Sequence, residues 1–124
     1  IQAFRQRAAE AGLRGVIAPV RPVLKAAYPL MAMDDFIRWT EADGSPVDPW
    51  LRSHQRAGGR IIGPCLRSMT VVAPTARWEA WTGLRLPPSG RHAVPGCLAP
   101  LEIDTQAGVA RYEEPNVWVV HTVG

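Results

Sequence analysis

Residues 48–62 constrain the fold more than any other part of this 124-residue chain, because they mark a helix at both ends. Asp48 can accept hydrogen bonds from the first free backbone N–H groups, and Pro49 suits the first helical position, where no N–H partner is needed. Gly58 and Gly59 predict a left-handed stop after one short helix. An apolar stretch follows at once, so the pattern predicts a helix that runs directly into a strand.

His54 is the one titratable side chain on the apolar side of this predicted helix. It lies three residues after Leu51 and four before Gly58, which puts all three on one face. A histidine titrates near pH 6.5, so both of its protonation states are accessible at neutral pH. His54 is therefore a candidate general acid. The alternative interpretation is a hydrogen-bonded histidine that merely packs against Leu51.

The residues before this helix predict a helix, a strand and a long connection. Residues 1–13 read as a helix with an apolar face, and the chain begins inside it, so we expect an upstream half. Residues 14–20 read as a strand that is apolar on both faces, with regular pairing expected to fail near Pro19. Residues 21–47 form a lid that holds a short helix at 33–40. Three aromatic side chains of this lid are candidate acceptor contacts: Tyr28, Phe36 and Trp39.

The remaining residues predict strands and one further helix. A strand starts at residue 60 and continues to 73, Thr75 is expected to cap a helix that ends at Gly83, and residues 100–112 read as a hairpin. In the last strand, His121 shares a face with valines 117, 119 and 123. The order of elements predicts an α+β (mixed α/β) fold with an open, mostly antiparallel sheet flanked by helices.

Composition argues against several classes of function. The net charge is +3, and the thirteen arginines are scattered rather than clustered, which disfavours a nucleic-acid partner. No apolar run is long enough for a membrane span and no leader pattern is present, so we expect a cytoplasmic protein. The three histidines and two cysteines lack metal-ligand spacing, so no metal site is predicted.

The predicted helix after Asp48 resembles a known family. Its sequence, DPWLRSHQRAGG, is similar to the helix that closes the acyl-CoA site in Gcn5-related N-acetyltransferases, which commonly reads T-P-A-x-x-L-Y-E-K-x-G-F. In that family the helix runs directly into a strand. The strand at 14–20 resembles one arm of the family's V-shaped sheet opening, and residues 1–13 resemble the helix that follows the pyrophosphate loop. The resemblance covers residues 1–20 and 48–72.

The resemblance implies transfer of an acetyl or other acyl group from acyl-CoA to a small-molecule amine. His54 aligns with the helix tyrosine that often protonates the departing thiolate. The resemblance further implies acyl-CoA contacts at Val20, at the end of the strand, and at Pro49, at the start of the helix. On this alignment residues 1–72 form the acceptor-side half of an acyltransferase-like core and residues 73–124 a C-terminal strand extension, within one domain or domain fragment.

The family's glycine-rich pyrophosphate loop, Q/R-x-x-G-x-G/A, does not occur in this sequence. We therefore expect the main pyrophosphate site upstream of residue 1, and weak or no CoA binding by the chain alone. The missing N-terminal half or a second copy would complete the site. The alternative from a different class is a non-catalytic assembly module that pairs through an exposed sheet edge.

Overall fold

Helices and strands alternate irregularly along residues 1–123, the part of the chain that the computed structural model describes. The helices are α1 (Gln2–Glu10), α2 (Met33–Arg38), α3 (Pro49–Arg56) and α4 (Thr75–Thr82), and the strands are β1 (Gly15–Val20), β2 (Gly59–Pro74), β3 (Gly90–His92), β4 (Leu101–Asp104) and β5 (Val109–Thr122). A short 3-10 turn, Lys25–Ala27, lies in the lid. None of these helices combines the length and the apolar character that a membrane crossing requires.

The long strand β5 organises the sheet. It pairs antiparallel with β1 and β4 along one edge and with β2 along the other, and β3 pairs with β4. Val117 and Val119 on β5 are fully buried, which suits a strand with neighbours on both sides and helices packed against it. The prediction of an α+β fold with an open antiparallel sheet flanked by helices is confirmed.

Helix α3 forms where its end signals placed it. The Asp48 carboxylate accepts hydrogen bonds from the backbone N–H groups of Trp50 and Leu51, and Pro49 is the first helical residue. At the other end Gly58 has a φ of 92°, the left-handed conformation that favours glycine. Gly59 does not share that conformation, because it is already the first residue of β2.

Pairing does not fail at Pro19, as we had expected. The register of β1 with β5 continues through Pro19, opposite Trp118, to Val20, opposite Val117. A proline is tolerated there because β1 is an edge strand within residues 1–123, and an edge strand needs partners on one side only. The irregular pairing lies in β2 instead, at shifts between Ile61 and Gly63 and between Cys65 and Met69.

Two further local expectations were wrong. On α1, Ala8 is buried, whereas Ile1, Phe4 and Ala11 are exposed, so the helix does not bury a continuous apolar face. Helix α4 forms where expected and Gly83 ends it with a φ of 71°, but Thr75 is its first residue and no side chain caps it. An unpartnered apolar side chain on α1 costs little at the surface, so periodicity alone did not decide its packing.

The buried apolar side chains form two clusters that share β5. One joins α2, α3, β1 and β5 through Val20, Met33, Phe36, Leu51, Val117 and Val119. The other surrounds Trp78 of α4 and reaches Ala110 and Tyr112 of β5. The division of the chain at residues 72 and 73, which falls within β2, stays a prediction, and its last residue, Gly124, lies outside the described residues.

Candidate active site

His54 meets a second histidine that the sequence places at the far end of the chain. Its Nδ1 atom lies 2.9 Å from Nε2 of His121, and the two rings are 5.2 Å apart between centroids. His54 projects from α3 and is partly exposed, whereas His121 lies on β5 and is fully buried. The pair therefore has one ring inside the protein and one ring that reaches toward solvent.

The strands around His121 leave room for its ring because two glycines stand beside it. Gly59 of β2 is its partner across the ladder, and a Cβ atom there would lie 2.6 Å from Cε1 of His121 and 2.7 Å from the carbonyl oxygen of His54. On the other side, a Cβ on Gly15 of β1 would lie 2.7 Å from the carbonyl oxygen of His121. Both separations are shorter than side chains tolerate, so both positions require glycine.

The surroundings favour neutral imidazoles. Burial lowers the pKa of His54 below its ordinary value. Burial also lowers the pKa of His121, with further contributions from His54 and from Arg5 of α1. Near pH 7 both rings are therefore neutral in a larger fraction of molecules than a histidine side chain in water is.

The exposed side of His54 lies along the first turn of α3. Trp50 packs edge-on against His54, with ring centroids 5.0 Å apart, and is 48% exposed. Pro49 is exposed on the same turn, whereas Val20 is buried at the end of β1. The Asp48 carboxylate joins these two regions, because it also accepts a hydrogen bond from the N–H of Leu24, just after β1.

The three lid aromatics form a cluster of their own. Trp39 packs edge-on against Tyr28 at 4.9 Å and against Phe36 at 6.3 Å between ring centroids. Tyr28 is 39% exposed and Trp39 is partly exposed, but Phe36 is buried in the core and offers no surface to a ligand in this conformation. Tyr28 and Trp39 are thus the members of the set that a ligand can reach.

A cavity of about 470 Å³ opens beside this lid, between residues 29–33 and the strands β2, β4 and β5. Its wall carries two carboxylates, Glu102 and Glu113, and two guanidinium groups, Arg91 and Arg111. Lys25 lies at its edge and is almost fully buried, donating hydrogen bonds to the carbonyl oxygens of Tyr28 and Leu98. Neither His54 nor any of the predicted acceptor contacts, Tyr28, Phe36 and Trp39, lines this cavity.

A buried polar network that the sequence did not reveal lies near the shift in β2. Its centre is Glu114, which accepts hydrogen bonds from Arg21, from the Tyr112 hydroxyl and from Asn116. Asn116 in turn accepts a hydrogen bond from Ser68 of β2. The network satisfies polar groups where regular strand pairing is interrupted, which accounts for charged and amide side chains inside the sheet.

His121 is the functional candidate that sequence reasoning missed. The alternation in the last strand had placed it on one face with three valines, and a titratable side chain among them was the available signal. Its pairing with His54 could not be read from the sequence, because 67 residues separate the two. Within residues 1–123 no group of three or more histidine, cysteine, aspartate or glutamate side chains is arranged to hold a metal ion.

One curated relative shares extensive similarity with this chain. The arginine N-acetyltransferase avaD of Aspergillus versicolor is 33% identical over 141 aligned residues, which cover 99% of this chain. The same alignment covers 49% of the relative, so the chain spans about half the length of the protein it matches. Comparisons with protein families and with solved structures find no match.

Proposed function

We propose that this chain is the acceptor-side half of an N-acetyltransferase, which transfers an acetyl group from acetyl-CoA to the amine of a small molecule. The similarity to an arginine N-acetyltransferase along almost the whole chain supports the reaction class. The resemblance of α3 to the acyl-CoA-closing helix of Gcn5-related enzymes supports the same assignment. The observation that carries the proposal is the partly exposed His54, paired with the buried His121 of β5.

The reaction requires little covalent chemistry from the protein. The amine nitrogen forms a bond to the acetyl carbon, the carbon–sulfur bond breaks, and the sulfur departs with the bonding electron pair. Overall one proton leaves the nitrogen and one reaches the sulfur. The proposal places His54 at the sulfur in the place of the general acid, where its Nε2 atom, the ring nitrogen not engaged by His121, donates a hydrogen bond to the departing thiolate.

The residues of this chain fit one part of an acyl-CoA molecule. The free edge of β1 offers backbone N–H and C=O groups that suit the amides of a pantetheine arm, and the proposal assigns acyl-CoA contacts to Val20 at the end of β1 and to Pro49 at the start of α3. No glycine-rich loop for the pyrophosphate occurs in the sequence. The proposal therefore assigns pyrophosphate binding to a further segment or to a second copy.

An amino acid is the acceptor class that the proposal tests first. The relative is named for arginine, and the lid cavity presents carboxylates beside guanidinium groups, which suits a molecule that carries both charges. The proposal keeps Tyr28 and Trp39, the two accessible aromatic side chains of the lid, as acceptor contacts outside the cavity lining, with Phe36 packed against Trp39. The cavity is separate from His54, so the acceptor amine has to extend beyond it, or the lid has to move, before transfer.

The experiment measures acetyl transfer by the complete natural polypeptide that contains this chain, with acetyl-CoA and a panel of amino acids that includes arginine. His54→Ala, which leaves no hydrogen-bond donor at this position, is expected to lower kcat by about 100-fold or more. Gln55→Ala, on the exposed side of the same helix, is the matched control and should leave kcat unchanged. Full activity of His54→Ala, or no transfer to any amine, would contradict the proposal.

A non-catalytic assembly module is the second candidate function. Strand β2 is sixteen residues long, has one unpaired edge within residues 1–123, and exposes Ile62, Leu66, Met69 and Val72. Long apolar edge strands pair readily with other chains. This function predicts a stable assembly that Leu66→Lys disrupts, measured by light scattering, together with no acetyl transfer. A monomer at high micromolar concentration would argue against it.

A further inference from the structure

We infer that His121 is a positioning residue that holds His54 as a neutral imidazole with its proton on Nε2. The role of His121 in catalysis rests on the proposed function, but the protonation state of the His54 ring does not. The inference starts from a single proton: the 2.9 Å separation between Nδ1 of His54 and Nε2 of His121 has room for one hydrogen between the two nitrogens.

The buried end of the pair decides which ring donates. Nδ1 of His121 has no hydrogen-bond partner among the described residues, and the ring is fully buried. If His54 donated, His121 would carry its own proton on Nδ1, and that N–H would be buried without an acceptor. If His121 donates from Nε2, the unpartnered Nδ1 is a bare lone pair. Buried N–H groups without an acceptor are rarer in proteins than buried acceptor atoms without a donor, so we assign the proton to Nε2 of His121.

This assignment determines the proton on His54. Its Nδ1 accepts from His121, so a neutral His54 must carry its hydrogen on Nε2, the nitrogen on the partly exposed side of the ring. A charged His54 would also carry a proton on Nδ1 and would bring two N–H groups face to face across 2.9 Å. The repulsion between these two N–H groups ends only if the proton on Nε2 of His121 moves to Nδ1, inside the sheet between β1 and β2.

The charged groups around the pair act in the same direction. Arg5 of α1 acts on His121, and on β5 His121 itself is the titratable group that faces His54. Arg5 is held in place because it donates hydrogen bonds to the carbonyl oxygens of Ala57 and Thr122. Burial opposes a positive charge on His54, and burial together with Arg5 opposes one on His121, so both rings favour the neutral state.

His54 then meets the departing sulfur as a hydrogen-bond donor rather than as an imidazolium. The proton that the sulfur finally takes is the one released by the amine nitrogen, so the imidazole is unchanged at the end of turnover. An imidazolium acid would lose activity as the pH rises above its pKa, whereas a neutral donor keeps its proton there. His121 thereby influences the pH range in which the proposed enzyme works.

The experiment is nuclear magnetic resonance of protein labelled with ¹⁵N in its histidine rings, which reports the protonated nitrogen and the pKa of each ring. In the unaltered protein we expect His54 to carry hydrogen on Nε2 at pH 7. His121→Phe keeps a ring but removes the donor; it should let His54 sample both tautomers and raise its pKa by about 0.5 to 1. His121→Gln restores an N–H donor and should restore the Nε2 tautomer.

Three results would overturn the inference. They are a proton on Nδ1 of His54 in the unaltered protein, an unchanged tautomer in His121→Phe, and no difference between the two variants. If a variant does not fold, the tautomer of the unaltered protein decides alone. His92, which bonds to the Pro88 carbonyl, serves as the reference ring in each sample. Acetyl transfer measured across a range of pH tests the proposed function separately, because no transfer at any pH would contradict that function. The tautomer of His54 is measured by nuclear magnetic resonance and does not depend on that result.

Discussion

Two glycines determine how closely the strands can approach the buried imidazole of His121. Gly59 and Gly15 lie on opposite sides of β5, and a methyl group at either position would overlap atoms at 2.6 to 2.7 Å. Neither position has the left-handed conformation that usually accounts for a glycine. Their requirement is steric: at Gly59 it follows from the His121 ring and the His54 carbonyl oxygen, and at Gly15 from the His121 carbonyl oxygen.

Gly59→Ala tests this requirement. Its methyl group would meet Cε1 of His121 and the His54 carbonyl oxygen, so we expect a loss of about 1–3 kcal/mol in the free energy of unfolding. Gly63→Ala in the same strand is the control, because no atom lies within 4 Å of a Cβ there. Urea denaturation of both variants provides the measurement, and equal midpoints would contradict the steric explanation.

The histidine pair should also make stability depend on pH. Burial lowers the pKa of His54 and of His121 in the folded protein, so between those values and about 6.5 the unfolded chain binds more protons. The stabilisation that comes from the neutral histidine pair is therefore complete above about pH 6.5. As the pH falls below that value, the free energy of unfolding decreases. Urea unfolding at pH 7.5 and 5.5 measures the difference. The double variant His54→Gln/His121→Phe should show a smaller difference, and an identical one would contradict the assignment.

At the scale of single elements, α3 is bound to the lid through its own cap. Both oxygens of the Asp48 carboxylate are used: one accepts from the N–H groups of Trp50 and Leu51, and the other from the N–H of Leu24. Asp48 is fully buried, so these bonds are shielded from water. One side chain thus determines both where the helix begins and where the chain lies after β1.

Substitutions at Asp48 can separate these two contributions. Asp48→Ser keeps a cap for the helix but loses the second oxygen, whereas Asp48→Ala loses both. We expect Asp48→Ala to lower the free energy of unfolding by about 2–4 kcal/mol, since it removes the cap and leaves the partly buried Leu24 N–H unpaired. Asp48→Ser should cost less. If both substitutions lower the free energy of unfolding equally in thermal or chemical denaturation, the helix cap contributes nothing to stability.

At the scale of the whole molecule, the sheet has unpaired edges on both of its long sides. Strands β1 and β2 both pair with β5, and within residues 1–123 neither has a second neighbour. A relative about twice the length of the chain is consistent with a further segment against one of these edges. The proposed acetyltransferase uses the edge of β1, and the assembly module uses the edge of β2.

The chain alone should bind CoA weakly. The sequence lacks a glycine-rich loop whose N–H groups would hold the pyrophosphate, so that part of the ligand gains nothing here. Titration calorimetry of the 124-residue chain is expected to give a Kd of about 1 mM or weaker. Pantetheine, which has no pyrophosphate, is the matched ligand and should bind equally weakly. Submillimolar affinity for CoA, well above that for pantetheine, would show that this chain recognises the pyrophosphate.

Local signals predicted the elements that depend on neighbours in the sequence. The cap at Asp48, the stop at Gly58 and the hairpin around residues 104–108 each rest on a few adjacent residues, and each formed as expected. The alternation of the last strand placed Val117, Val119 and His121 on one face, and the structure buries all three. These features follow from backbone geometry that a short segment carries by itself.

Tertiary structure decided the rest, because it depends on strand register. Whether His121 stands beside His54 depends on the shifts in β2 and on two glycines that let β1 and β2 close around it. The same long-range pairing buried Phe36, exposed Phe4 and separated the lid cavity from the histidines. The sequence alone determined a capped helix with a histidine on it. The 2.9 Å contact that gives this histidine its chemical character arises only when two segments 67 residues apart pack together.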